Sequence, residues 1–133
     1  MTHHNQPPRP KPARITGVAH VVAATGYSLS GLRRLWRETA FRHIVLALAI
    51  SAGVFAVVGA GMVEFAILAV MFLLLVAVEA LNTAIECIVD HLAPHWAEFA
   101  RDAKDLGSLA TMCLVCANGV FILAVIARSM AAT

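Results

Sequence analysis

Charge is scarce in this sequence. Only 14% of its 133 residues are Asp, Glu, Lys or Arg, where soluble domains carry roughly 25%. With 60% hydrophobic residues and a mean hydropathy of +0.80, there is too little polar surface to cover a water-soluble globule. That excludes an ordinary soluble domain and implies several membrane-spanning helices in one domain. Cysteine is also sparse. Cys113 and Cys116 are i, i+3 neighbours with no histidine or third cysteine nearby, and Cys87 stands alone. No zinc set or disulfide framework follows, and all three read as small packing residues in apolar helices. Two nucleotide signatures are missing, the G-x-x-x-x-G-K-[ST] phosphate loop and the dinucleotide fingerprint. Any nucleotide chemistry here must rest on carboxylates holding Mg²⁺ and a lysine for phosphate.

What charge there is has a definite placement. Seven of the ten basic residues (Arg9, Lys11, Arg14, Arg33, Arg34, Arg37, Arg42) precede the first apolar run. Arg101 and Lys104 lie between the second and third runs, and Arg128 follows the third. No solvated basic face exists beyond this juxtamembrane belt, so nucleic acid is not an expected partner. Anionic lipid and membrane orientation explain the belt better.

Taken in order, residues 1–14 are rich in proline and polar side chains without apolar periodicity, and read as a disordered tail. No apolar core follows closely enough to make a cleavable signal peptide. Residues 15–37 carry Val18, Val21, Val22, Leu29, Leu32, Leu35 and Trp36 at helical spacing, with Arg33, Arg34 and Arg37 on another face. This predicts a basic amphipathic helix on the membrane surface, broken or split in two at Gly26 and Gly31. Residues 38–133 hold three expected spans, at 43–63, 65–89 and 106–127, each long enough for about 30 Å of hydrocarbon. Gly59 to Gly61 supply the first turn, and 91–103, with Pro94, is expected to form the second connection, with or without a short helix. The basic residues put the N-terminus and the second connection on one side, cytoplasmic by the positive-inside rule.

The least ordinary stretch is E-A-L-N-T-A-I-E-C-I-V-D at 79–90, directly after an uncharged run. Glu79, Asn82, Glu86 and Asp90 fall at i, i+3, i+7 and i+11, within roughly 80° of each other on a helix. A carboxylate inside a span costs about 2.5–3.5 kcal/mol on insertion scales, so such a residue is a functional candidate by default. Asp90 and Glu86 fit head-group depth, paired with Arg101 or Lys104. Glu79 lies about 16 Å deeper than Asp90 along the axis, where a desolvated carboxylate suits a general base or proton carrier. Asn82 alone suits an interhelical hydrogen bond. Glu38 and Arg42 suit an i, i+4 surface pair. Lys104-Asp105, just before Gly107 and Ser108 open an apolar helix, suit either loop charges or an anion contact.

The 79–90 stretch, followed by A-K-D-L-G-S at 103–108, resembles the prokaryotic diacylglycerol kinase family. G-Y-S-L-S-G-L-R at 26–33 and E-T-A-F-R at 38–42 extend the likeness over about residues 17–128. The resemblance implies an all-α homotrimer in the bacterial inner membrane, each protomer having a surface helix and three transmembrane helices, with active sites shared between neighbours. It implies transfer of phosphate from MgATP to diacylglycerol, giving phosphatidic acid. In that family's pattern Glu79 is the catalytic base, and Glu38 and Glu86 are the Mg²⁺ ligands. His20, Tyr27, Lys104 and Asp105, with Glu38 and Glu86, match nucleotide positions. Asn82, Ser108, Arg33 and Trp36, with Glu79, match substrate positions, and Asp90 a supporting one. There are departures. A basic residue of better-known members falls on His20, the acidic position after F-R is Ile44, and the segment between Trp36 and Phe41 is one residue shorter.

Two other readings fit the same residues. Related family members phosphorylate undecaprenol. From a different class, a small proton-coupled transporter would relay protons through Glu79 and Asp90. That reading requires polar groups along the whole path, whereas 65–78 is wholly apolar and the third span offers only Thr111 and Asn118 beyond Ser108.

Overall fold

The computed structural model describes residues 17–131. The expected tail at 1–14 and residues 15–16 of the expected surface helix lie outside the described residues. Four helices run in order, α1 Val18–Leu35, α2 Thr39–Val57, α3 Met62–Leu92 and α4 Glu98–Ala131. No strand occurs among the described residues. The last three helices are each long and apolar enough to cross a membrane. The architecture is all-α, one short helix ahead of three candidate spans.

The glycines of α1 do not break it. A glycine inside a helix costs about 1 kcal/mol against alanine, too little to stop a run with intact neighbours. The helix passes through Gly26 and Gly31 as one piece, which corrects the expectation of a break there. The chain then turns sharply at Trp36 to Glu38. Leu35 is buried and the Trp36 ring meets Phe41 edge-on at 5.9 Å, so the corner is packed in place.

Helix α2 stops at Val57, earlier than the uncharged run suggests, and residues 62–63 already belong to α3. Gly59 is the reason. It adopts φ +69, and the Ala60 N–H reaches back to the Phe55 carbonyl at 2.9 Å, closing a Schellman motif. The Glu64 carboxylate then accepts from the Gly61 N–H at 2.5 Å and caps the start of α3. Glu64 also pairs with Arg128 at 2.6 Å, and the Ser129 hydroxyl donates to the Val58 carbonyl at 2.7 Å. The far end of α4 is thereby tied to the α2–α3 turn. At the opposite end the connection covers only 93–97, because α4 begins at Glu98, not near 106. The first turn of α4 is closed by N–H groups of Ala100 and Arg101 bonding to the Ala97 carbonyl.

Helix α3 carries the core. Its buried Leu68, Phe72, Leu75, Glu79, Asn82 and Val89, with half-buried Glu86, alternate at spacings of four and three. That is the seam of knobs-into-holes packing. In the apolar half, Phe55 and Leu68 are fully buried, and Phe55 meets Phe65 and Phe121 edge-on at 5.7 and 5.9 Å. Helix α4 lies along α3, whereas α2 and α4 meet sparsely and leave a cleft between them.

Helix α4 comes closest to the polar half of the seam at Gly107. A Cβ there would overlap Asn82 Oδ1 and stand 3.2 Å from its Cγ. Glycine is required by this approach and not by its dihedral angles. Gly107→Ala should therefore push the helices apart and destabilise the fold by about 1–3 kcal/mol. Thermal unfolding in detergent micelles measures this, and a variant as stable as the parent would contradict the close approach.

Candidate active site

The polar half of the α3 seam opens into a pocket of about 370 Å³ whose lining includes Glu38, Glu79, Asn82, Glu86, Ser108 and Thr111. Three helices supply it. Glu79, Asn82 and Glu86 project from α3 on the stripe visible in the sequence. Ser108 and Thr111 come from α4, antiparallel to α3, so that Thr111 stands opposite Glu79 and Gly107 opposite Asn82. Glu38 is the extended residue before α2, with φ −77 and ψ 133, and the corner after α1 brings it to the same pocket.

Each carboxylate has a different partner. Glu79 is only 5% exposed, and its Oε2 accepts from the Thr111 hydroxyl at 3.2 Å. Glu86 Oε1 accepts from the Asn82 amide at 3.1 Å. Asn82 Oδ1, pressed towards Gly107, is buried without a hydrogen-bond donor. Glu38 is ion-paired with Arg34, four residues earlier on α1. The expected Glu38–Arg42 pair does not form. Arg42 donates instead to the Thr39 hydroxyl at 3.1 Å, because the extended backbone at Glu38 turns its side chain back towards α1. Asp90 is exposed and paired with Lys104 at 2.5 Å, one of the two partners expected for it, whereas Glu86 pairs with neither Lys104 nor Arg101. Glu38, Glu79 and Glu86 line the same pocket, so three carboxylates share it.

The structure brings together Glu38, Glu79, Asn82, Glu86 and Ser108. Lys104 stays outside the lining with Asp90, and Asp105 is exposed. His20, Tyr27, Arg33 and Trp36 all lie exposed on or just after α1, and none lines this pocket. Two residues were not singled out by sequence. Thr111 sits one turn beyond Gly107 and Ser108, a faint polar signal in an apolar helix. Arg34 bridges elements, its Nη2 also lying 3.6 Å from Cys87 Sγ. The three cysteines are exposed and not packed inside this chain, since the faces of α3 and α4 that carry them point away from the seam.

Among the described residues no three His, Cys, Asp or Glu side chains form a closed metal set. Two carboxylates sharing a pocket, Glu38 and Glu86, nevertheless fit Mg²⁺, which is bound through one or two carboxylates with phosphate and water supplying the rest. A second cavity adjoins this one. The α2–α4 cleft holds about 450 Å³, is floored by Phe72 and Leu75, and shares Ala40, Thr111 and Val115 with the carboxylate pocket. Deep in the cleft Asn118 donates to the carbonyl of Leu114 at 2.8 Å.

Comparison with known proteins identifies the family. The family model described as prokaryotic diacylglycerol kinase matches residues 26–126. A protein of Sinorhizobium named diacylglycerol kinase is 49% identical over 106 residues, covering 80% of this chain and 77% of its own. Proteins of the same name from Haemophilus influenzae and Escherichia coli are 33% and 34% identical, covering 80% and 73% of this chain and 92% and 80% of theirs. The chain belongs to the prokaryotic diacylglycerol kinase family.

Proposed function

We propose that this kinase transfers the γ-phosphoryl group of ATP to diacylglycerol, giving phosphatidic acid and ADP, at the cytoplasmic face of a bacterial inner membrane. The observation that carries this reading is the meeting of two cavities at Thr111, the residue whose hydroxyl holds the buried carboxylate of Glu79. The cluster of Glu38, Glu86 and Glu79 opens on one side, and the apolar α2–α4 cleft runs up to it on the other. A water-soluble acceptor has no need of an apolar cleft beside the base. A lipid hydroxyl does, because its chains must stay in hydrocarbon while its oxygen reaches the phosphate.

In this reading Glu79 accepts the hydroxyl proton as the oxygen attacks, a role that needs a carboxylate within reach of the substrate and away from bulk water. Glu38 and Glu86 would hold Mg²⁺, which neutralises charge on the phosphates during transfer. Glu38 carries Arg34 as its counter-ion, so holding Mg²⁺ there would require Glu38 to loosen or share that ion pair. Asn82 steadies Glu86 through its amide, leaving Glu86 Oε2 for other partners. Lys104 would meet the nucleotide phosphates after leaving Asp90, with Asp105 alongside. Ser108 would contact the lipid. We read the working unit as a homotrimer in which α1 of a neighbouring copy brings His20, Tyr27, Arg33 and Trp36 to the pocket. The basic residues before α2 and in the first two turns of α4 support a cytoplasmic N-terminus.

Radiolabelled phosphate should pass from ATP to diacylglycerol in mixed micelles faster than to undecaprenol under the same conditions; the reverse order would overturn the substrate. Glu79→Gln should leave MgATP binding intact while turnover falls about a hundredfold to ten-thousandfold, the span of general-base catalysis. Near-normal turnover would remove Glu79 as the base. Glu86→Gln should raise the Mg²⁺ concentration needed for half-maximal rate, and an unchanged Mg²⁺ titration would remove it as a ligand.

A further inference from the structure

The reaction needs a base whose position does not change as it gains a proton, and Glu79 has one side-chain partner that meets this need. Thr111 Oγ1 lies 3.2 Å from Glu79 Oε2. The other nearby amide donor, Asn82, is occupied by Glu86 at 3.1 Å. Glu79 Oε1 accepts no hydrogen bond from the protein among the described residues, and Glu79 lines the carboxylate pocket. The two oxygens of one carboxylate are therefore unlike, one held by α4 and the other left to the pocket.

We propose that Thr111 is a positioning residue for the base. Its hydroxyl fixes Oε2 throughout the reaction and directs the substrate's proton to Oε1. This rests on Glu79 being the base. In the proton-transfer step the O–H bond of the lipid breaks and its hydrogen bonds to Oε1. The freed electron pair forms the bond to the γ-phosphorus, while the bond from phosphorus to the ADP oxygen breaks and ADP leaves with that pair. Before the step Oε2 belongs to a carboxylate, and after it Oε2 is the carbonyl oxygen of a neutral acid. Both accept a hydrogen bond, so the single Thr111 hydrogen serves both states without rearrangement. A donor already in place costs no reorganisation when the charge moves. The competing acceptor is the Gly107 carbonyl at 3.5 Å, longer and uncharged, so the carboxylate holds the hydrogen.

The placement of Thr111 extends its effect. It lines both the carboxylate pocket and the apolar cleft, so the residue that aligns the base also borders the route of the lipid. It stands one turn after Gly107, where α4 approaches α3 most closely, and that contact sets the height of the hydroxyl over Glu79.

The test compares Thr111→Val, Thr111→Ser and Glu79→Gln in the full-length protein, with diacylglycerol as acceptor and MgATP binding measured separately. Thr111→Val keeps the shape and removes the donor. Its kcat should fall about tenfold or more, the worth of a hydrogen bond to a charged group. Its KM for ATP and its MgATP affinity should stay within about twofold. Thr111→Ser restores the hydroxyl and should recover most of kcat, which a purely packing role would not allow. If Thr111→Val does not fold, Thr111→Ala carries the same comparison. Two results would overturn the proposal while leaving Glu79 as the base: kcat of Thr111→Val within about threefold of the parent, or Thr111→Ser as slow as Thr111→Val. Near-normal activity in Glu79→Gln would instead remove the base itself, and the role of Thr111 with it.

Discussion

The constraint on which this structure depends is that one face of α3 must pack and hold carboxylates at once. The seam from Leu68 to Val89 keeps the same spacing throughout, but its chemistry changes at Glu79. Above that point burial is satisfied by phenylalanine and leucine contacts. Below it, each buried polar group needs a partner or a cavity, because hydrocarbon offers no water to make good a missing hydrogen bond. The pocket exists because the seam continues where close packing cannot.

The rest of the chain supports that compromise. Gly107 lets α4 come close enough for Thr111 to reach Glu79. The packed corner at Leu35, Trp36 and Phe41 delivers Glu38 from the bend between α1 and α2. At the far end Glu64 with Arg128, and Ser129 with the Val58 carbonyl, fix α4 relative to the α2–α3 turn. Anchoring the bundle there allows the end with the carboxylates to remain open without the helices sliding along one another.

The helical stripe of Glu79, Asn82, Glu86 and Asp90 was legible from spacing alone, because a single continuous helix carries it and its period is fixed by geometry. The turn at Gly59 to Gly61 was legible for the same local reason. The start of α4 was not. Residues 98–103 are charged and follow Pro94, so they read as part of a connection with or without a short helix, yet Glu, Ala and Arg are good helix formers once a turn is closed. Thr111 was illegible because its meaning depends on the register between α3 and α4, and no single-helix pattern contains that register. Arg34 escaped notice in the same way. Its pairing with Glu38 depends on the angle of a corner, where the sequence suggested Arg42 at equal spacing on the other side.

The four carboxylates form a sequence in how they are neutralised. Asp90 and Glu38 are paired with full positive charges on Lys104 and Arg34. Glu86 and Glu79, facing the interior, have only neutral donors, an amide and a hydroxyl. A neutral donor orients a carboxylate without pairing it with an opposite charge, so these two carboxyl groups stay free of an ion pair where the pocket is least solvated. Such an arrangement costs stability, and a soluble fold would place a lysine there. Under the proposed chemistry a lysine would be a liability. It would hold the base's proton-accepting oxygen in an ion pair and occupy the place of a divalent cation. Neutral partners inside and charged partners at the rim keep the carboxylates aligned yet available, and this ordering follows the depth along α3 that its sequence already displays.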